Sequence, residues 1–364
     1  MQVCTCGFPH GKRLPGKLLE NRKSAPKSEN SQNTKYDSKI QSMKKVVQRG
    51  KHNRKIVKLN IFSTNAASLK SKIKSFRSEL RRSNAGAFTL QETHYTKKGR
   101  VSIPDFIVFE AIRKGKIKGG TMIGVHKALN PHLITELNDP FELLVVEIKI
   151  GKREIRLISG YGPQESWSPE QREPFFLALE EEINKADLAG KSVIVEADFN
   201  SKLGTQFIPN DPHTQDKNGK LLANIIMRQR LCVANGLGVC EGVITRKRVT
   251  TQRTEESAIS FVLVSEDLID KVEAVIINEK REHVLTRITK TKDGSEYKES
   301  DHNIIETRLN LSWSKEEAPA EEAMFNLKNK ECQMAFKKET SKSVLANIFE
   351  EESDLDKATE KFMK

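Results

Sequence analysis

Between residues 56 and 312 the chain alternates short apolar runs with helical segments. Val57, Leu59 and Ile61 recur with period two, the spacing of a strand with one covered face. Residues 68–82 read as a helix, and Ala87-Phe88-Thr89-Leu90 is a second strand that ends at Gln91-Glu92-Thr93. Further strands are predicted at 121–125, 142–149, 154–161, 192–197, 259–264 and 304–311. Ser168-Pro169-Glu170-Gln171 combines an N-cap serine, a proline at the first helical position and a glutamine able to close a capping box. Phe175, Leu179, Ile183 and Ala186 then mark the buried side of that helix. Another helix fits 219–230, with Leu222, Ile225 and Ile226 inward. Several strands follow one another without room for a crossover helix. The pattern therefore predicts an α/β fold of mixed sheets covered by helices.

The flanks differ from this middle. Residues 1–55 are rich in Lys, Ser, Asn and Gln and cannot bury enough surface to offset ordering entropy, so a disordered arm is expected. The net charge of +13 is concentrated there: residues 1–59 hold 15 Lys and Arg against 3 Asp and Glu, while 313–364 hold 9 against 12. A basic arm suits a polyanion such as nucleic acid, whose phosphates release counterions on binding. It equally serves solubility, or a nuclear address. Residues 313–364 read as a polar helical extension or linker. With 37% hydrophobic residues the chain has enough apolar surface for a core. No apolar run is long enough to span a membrane, so no membrane partner is expected. The first 17 residues contain no apolar stretch suited to secretion. Five cysteines without framework spacing fit free thiols in a reducing, intracellular setting, and the basic arm points to the nucleus.

Polar residues suited to catalysis stand at strand ends: Asn65, Glu92, Tyr161, Asp198 with Asn200, and Asp301 with His302. Singly, each reads as a turn or solvated residue. As a set they are complementary. Glu and Asp offer hard oxygens for Mg²⁺, and a separate carboxylate can orient or deprotonate water. Asn, Tyr and His offer donors to the charge that develops on a pentacovalent phosphate.

The order Asn65, Gln91-Glu92-Thr93, Ser159-Gly160-Tyr161-Gly162-Pro163, Ala197-Asp198-Phe199-Asn200 and Ser300-Asp301-His302 resembles the endonuclease/exonuclease/phosphatase superfamily, which includes DNase I and apurinic/apyrimidinic endonucleases. Leu90-Gln91-Glu92-Thr93-His94, Asp216-Lys217-Asn218-Gly219-Lys220-Leu221 and Thr245 are most similar to the endonuclease domain of non-LTR retrotransposons and of host proteins resembling craniofacial development protein 2. The resemblance covers about 56–312. It implies a four-layer α/β sandwich, two mixed β-sheets packed face to face with helices outside, that cleaves DNA phosphodiesters with Mg²⁺, or Mn²⁺ in its place. It further implies Glu92 as principal metal ligand with Asn65 and Asp301 nearby, and Asp198 positioning or deprotonating the attacking water. Asn200 would hold Asp198 and touch the phosphate, Tyr161 would donate to the phosphate, and His302 would stabilise the phosphorane charge. Thr245 matches a position that contacts the site or its backbone. No small-molecule cofactor is implied.

Three departures qualify the resemblance. Where the family has an Asp bonded to the catalytic His, the strand Ser257-Ala258-Ile259-Ser260-Phe261 carries Ser260. A hydroxyl can accept from imidazole but cannot stabilise an imidazolium, so weakened turnover is expected, by roughly 10–100-fold for such an outer partner. Ala197 replaces the usual Gly, which strains the turn if positive φ is needed. Ala66-Ala67-Ser68 lacks the acidic or glycine residues that some relatives have there. Three readings follow: a slow metal-dependent DNA endonuclease, a catalytically inactive nucleic-acid-binding remnant, or a phosphatase acting on inositol phosphates or another small phosphoester.

Overall fold

The computed structural model describes residues 54–113, 119–291 and 294–316. The arm expected to be disordered and the expected helical extension lie outside these residues, apart from their last and first few. Numbered in chain order, the strands begin with β1 (Arg54–Asn65), β2 (Ala87–Gln91), β3 (Phe106–Ala111), β4 (Thr121–His126), β5 (His132–Leu137) and β6 (Glu142–Ile150). Next come β7 (Arg153–Tyr161), β8 (Ser192–Asp198), β9 (Leu231–Val233), β10 (Cys240–Glu241), β11 (Arg246–Val249) and β12 (Thr254–Ser257). The last are β13 (Ser260–Ser265), β14 (Val272–Ile277), β15 (Thr286–Thr291), β16 (Gly294–Glu299) and β17 (Ile305–Glu316). The α-helices are α1 (Ile73–Arg82), α2 (Pro169–Leu188) and α3 (Lys217–Arg228).

One sheet runs β10-β14-β17-β1-β2-β4-β3 and the other β5-β6-β7-β8-β13-β9, with β11–β12 and β15–β16 as separate hairpins. Both sheets are mixed. β1 is parallel to β2 and antiparallel to β17; β8 is parallel to β7 and antiparallel to β13. Arg54 pairs with Glu316, so the sandwich reaches slightly beyond 56–312 at both ends.

Alternation along the strands decides the layers. Leu59 and Ile61 of β1 face Leu144, Val146, Leu157, Ile194 and Val262 of the second sheet in one core. On the outer face of that sheet, Phe175, Leu179 and Ile183 of α2 and Leu222 and Ile225 of α3 cover Val145, Ile158, Val193 and Val195. On the outer face of the first sheet, Phe76 and Leu80 of α1 cover Phe62, Phe88 and Leu90. Each such side chain contributes about 1.5–3 kcal/mol on burial. The result is the four-layer α/β sandwich that the resemblance implies.

The helix starts follow from local chemistry. Gln171 accepts from the Ser168 amide at 3.1 Å at the start of α2. Asp216 caps α3 by accepting from the Gly219 amide at 2.6 Å. The helix expected over 68–82 is split into a 3₁₀ turn, Leu69–Ser71, and α1. The strands absent from the sequence reading include β3 and β5, which lie at sheet edges where mixed exposure blurs the alternation.

Candidate active site

Period two carries the inner face of each sheet from aliphatic to polar at one end. The inward series is Leu59, Ile61, Ser63, Asn65 on β1; Leu157, Ser159, Tyr161 on β7; and Ile194, Glu196, Asp198 on β8. On β13, which runs the other way, it is Val264, Val262, Ser260, and Ser260 pairs with Asp198. A polar layer separates core from site: Thr89 donates to Ser63 at 2.7 Å and Gln91 to Ser159 at 2.9 Å.

Asn65 joins the two sheets. Its Nδ2 donates to Asp198 Oδ2 at 2.8 Å and to Glu92 Oε1 at 3.1 Å, while its Oδ1 accepts from the Ala67 amide at 2.9 Å. The turn that follows has positive φ at Ala67 (41°) and Ser68 (80°), a conformation that disfavours residues bearing Cβ. Lys72 holds this turn. Only 5% exposed, it donates to the Ala66 and Ala67 carbonyls, both at 2.7 Å. Burial brings its ammonium down to about 8, against the pull of Asp301 and Glu92. Nothing in the residue pattern points to this role, because a lysine in a helical stretch reads as solvated. Lys72→Met removes the donor from both carbonyls and should cost about 2 kcal/mol, or roughly 5 °C of melting temperature for a domain of this size. An unchanged melting temperature would show that Lys72 does not hold the turn.

Glu92 (φ 48°) and His94 (φ 56°) are also left-handed, in a turn pinned by the Thr93 and His94 amides on the Gly120 and Gly119 carbonyls at 3.1 and 2.9 Å. His94 Nε2 lies 3.2 Å from Glu92 Oε2. Burial alone would raise the Glu92 carboxyl. Hydrogen bonds from His94, Tyr161 and Asn65, with His302 nearby, outweigh burial and hold it at about 2. Tyr161 is pushed up by burial and by the Asp198 and Glu92 charges, so it remains a donor.

Asp198 is fully buried, and burial pushes its carboxyl above the usual range despite His302, Asn65 and the Asn200 amide. A carboxylate raised in this way is a stronger base. Asn200 (φ 48°) donates its amide to Asp198 Oδ1 at 3.2 Å and its Nδ2 to the Gly162 carbonyl at 2.8 Å. Ala197 is not among the positive-φ residues, so the strain anticipated there does not arise.

His302 Nε2 lies 3.8 Å from Asp198 Oδ2. Its Nδ1 is buried with no hydrogen-bond partner, and so is Ser260 Oγ. The bond expected between imidazole and this hydroxyl is therefore not made; a serine side chain is one bond shorter than the aspartate it replaces. Thr245 braces the region rather than facing the cleft. Its Oγ1 accepts from the Ile259 and Ser260 amides at 2.9 and 3.1 Å, and its carbonyl from Asn303 at 2.8 Å. Asp301 lines the cleft with Oδ2 on Arg246 Nε at 3.1 Å.

Glu92, Tyr161, Asp198, Asn200, Asp301 and His302 line a cleft of about 1620 Å³. Hairpin β11–β12 lends its wall Arg246, Lys247 and Arg248, and Arg281 and Lys298 add further cations. Among the described residues no three His, Cys, Asp or Glu side chains form a ready-made metal cage. Glu92, Asp198 and Asp301 instead present carboxylate oxygens to one open cleft, with the Asn65 Nδ2 bridging the first two. That donor set fits Mg²⁺, which keeps several waters and takes one or two carboxylates plus substrate phosphate.

No family model matches the chain, and no curated protein matches it. Solved structures do. The APE2 catalytic domain of Xenopus laevis superposes with a TM-score of 0.55 at 13% identity, covering 70% of this chain and 93% of that one. The AP endonuclease LMAP of Leishmania major gives 0.54 at 11% identity, with 69% and 87% covered. The 3′ phosphatase NExo from Neisseria, bound to a product DNA hairpin, gives 0.52 at 16% identity, with 70% and 100% covered. At these identities the likeness is one of fold, and it agrees with the layers described above. The chain has the fold of the endonuclease/exonuclease/phosphatase superfamily.

Proposed function

We propose that the chain is a divalent-metal-dependent phosphodiesterase, a retroelement-type endonuclease that nicks DNA slowly. The observation that carries this reading is the single amide of Asn65 bonded to both Glu92 and Asp198, which fixes two carboxylates of opposite tuning side by side. Glu92, held anionic, would take the metal with Asn65 and Asp301 nearby; Asp301 would then be drawn from Arg246. When bound, Mg²⁺ or Mn²⁺ supplies charge neutralisation of the phosphate. Asp198, raised by burial, accepts a proton from the attacking water. Tyr161 keeps its proton and donates to the phosphate, and His302 donates to the charge that develops there. The cations of the β11–β12 hairpin suit a DNA backbone better than a small phosphoester.

The orphaned Nδ1 of His302 supports a second reading, a DNA-binding remnant without turnover. Purified chain incubated with supercoiled plasmid and Mg²⁺ or Mn²⁺, beside Glu92→Ala, separates the two. Nicking that disappears in Glu92→Ala is the expected result. Nicking that survives that substitution would be contamination and would sink the proposal. Release of phosphate from inositol phosphates in place of nicking would favour the phosphatase reading.

A further inference from the structure

The strand orders define two flanks around the site. In the first sheet β17 and β1 lie on one side of β2 and β4 on the other; in the second, β8 and β13 lie on one side of β7 and β6 on the other. His302, Ser260 and the cationic hairpin belong to the β17/β13 flank. On the β4/β6 flank a second cavity of about 190 Å³ opens from the same Glu92 and Tyr161. Phe141, Tyr161 and Trp167 are among its lining residues, the Phe141 ring being packed edge-on against Phe175. Arg113 is the one cation among its described lining residues, and its Nη2 is committed to Glu142 Oε2 at 2.8 Å.

Trp167 is half-buried on a loop that two buried polar side chains hold in place. Arg172 Nε donates to the Trp167 carbonyl at 2.9 Å, and its Nη1 to Asn218 Oδ1 at 3.1 Å. Asn218 in turn donates to the Pro163 and Asn200 carbonyls at 2.8 and 3.1 Å. The loop is thus fixed to the segment that carries Asp198 and Asn200, the kind of rigid support a binding surface needs. None of the roles assigned above uses Trp167, Arg172 or Asn218.

A nucleic-acid strand crossing the site meets two unlike walls. Cations draw its phosphates on one flank, and aromatic rings offer stacking surface on the other. We propose that Trp167, on the wall of this cavity, forms a stacking subsite for a nucleobase of a nucleotide adjoining the bond that is cut. This assignment rests on the nucleic-acid reading above.

The test uses the full chain in EDTA, so that nothing is cleaved, with two fluorescein-labelled strands of equal length. One is oligothymidylate; the other is the same phosphodiester backbone with tetrahydrofuran in place of each base. Trp167→Ala should weaken oligothymidylate binding about tenfold, the loss of one base–aromatic stack, and leave the base-free strand unaffected. Trp167→Phe should retain most of the affinity, which excludes general loss of fold. The chain has two tryptophans, and the other, Trp313 on β17, is 6% exposed with its ring against His126. Oligothymidylate should therefore quench the intrinsic fluorescence of the wild type and not that of Trp167→Phe. Equal losses on both strands, or no loss on either, would overturn the subsite. A wild type that binds neither strand would overturn the nucleic-acid reading itself.

Discussion

Ser260→Asp raises the rate of plasmid nicking, by about 10²-fold if the new carboxylate acts as an outer partner and towards about 10⁴-fold if it orients the imidazole as in a triad. The geometry gives the reason. Ser260 lies opposite Asp198 in the β8–β13 register, and the Asp198 carboxylate lies 3.8 Å from His302 Nε2. The other nitrogen of that ring, Nδ1, and Ser260 Oγ are both buried without partners. An imidazole with no acceptor at Nδ1 is held from one side only, by the Asp198 carboxylate near Nε2. A carboxylate at position 260, one bond longer than serine, would accept from Nδ1–H and favour the imidazolium, whose Nε2–H can donate towards phosphate. The measurement is the initial nicking rate of wild type, Ser260→Asp and Ser260→Asn with Mg²⁺ at fixed salt. Asparagine can accept from Nδ1 but carries no charge, so it should recover only the orienting part of the gain. Equal rates for all three would mean that His302 is not engaged in the chemistry. Activity in Ser260→Asp alone, with a silent wild type, would mean a scaffold disabled at this one position.

Much of this site was legible in the sequence for a simple reason. Parity along a strand is conserved, so once Leu59 and Ile61 are inward, Asn65 is inward too, and the same count places Tyr161 and Asp198. The chemistry proposed for those ends comes from the motifs and not from the alternation. What parity does not carry is anything that reaches the site from outside a strand. Lys72 stands in a helical stretch, and only the path of the Ala66-Ala67 turn reveals that it is buried. Arg172 and Asn218, on α2 and α3, read as the polar side of helices until the loop that carries Trp167 folds over them. His94 stood in the motif with no role attached, and its contact with Glu92 depends on two left-handed residues that alternation cannot foresee. Ser260 was legible as a substitution, but the orphaned imidazole was not, since it turns on one bond length.

The same parity puts Glu196 where no carboxylate is comfortable, and this leads to the largest expected effect on stability. Glu196 is inward on β8, two residues before Asp198, and completely buried between the sheets. The Thr307 hydroxyl is the one polar side chain that favours the charged form of Glu196, too loosely placed to make a well-formed hydrogen bond and too weak to offset burial. Burial raises its carboxyl from the ordinary 4.5 to about 8. The folded chain thus holds a proton that the unfolded chain releases above 4.5, so folding takes up a proton in this window. Stability from this group is complete below about pH 4.5, falls as pH rises, and levels off above about 8. The full loss is about 5 kcal/mol by that linkage. Glu196→Gln keeps the shape and cannot ionise, so it removes this group's share of the pH dependence. Melting followed by circular dichroism should show little difference between wild type and variant at pH 5. At pH 8.5 the variant should melt roughly 10 °C higher. Two curves that stay parallel from pH 5 to 8.5 would show that Glu196 ionises freely in the fold and that the space between the sheets admits water at this depth.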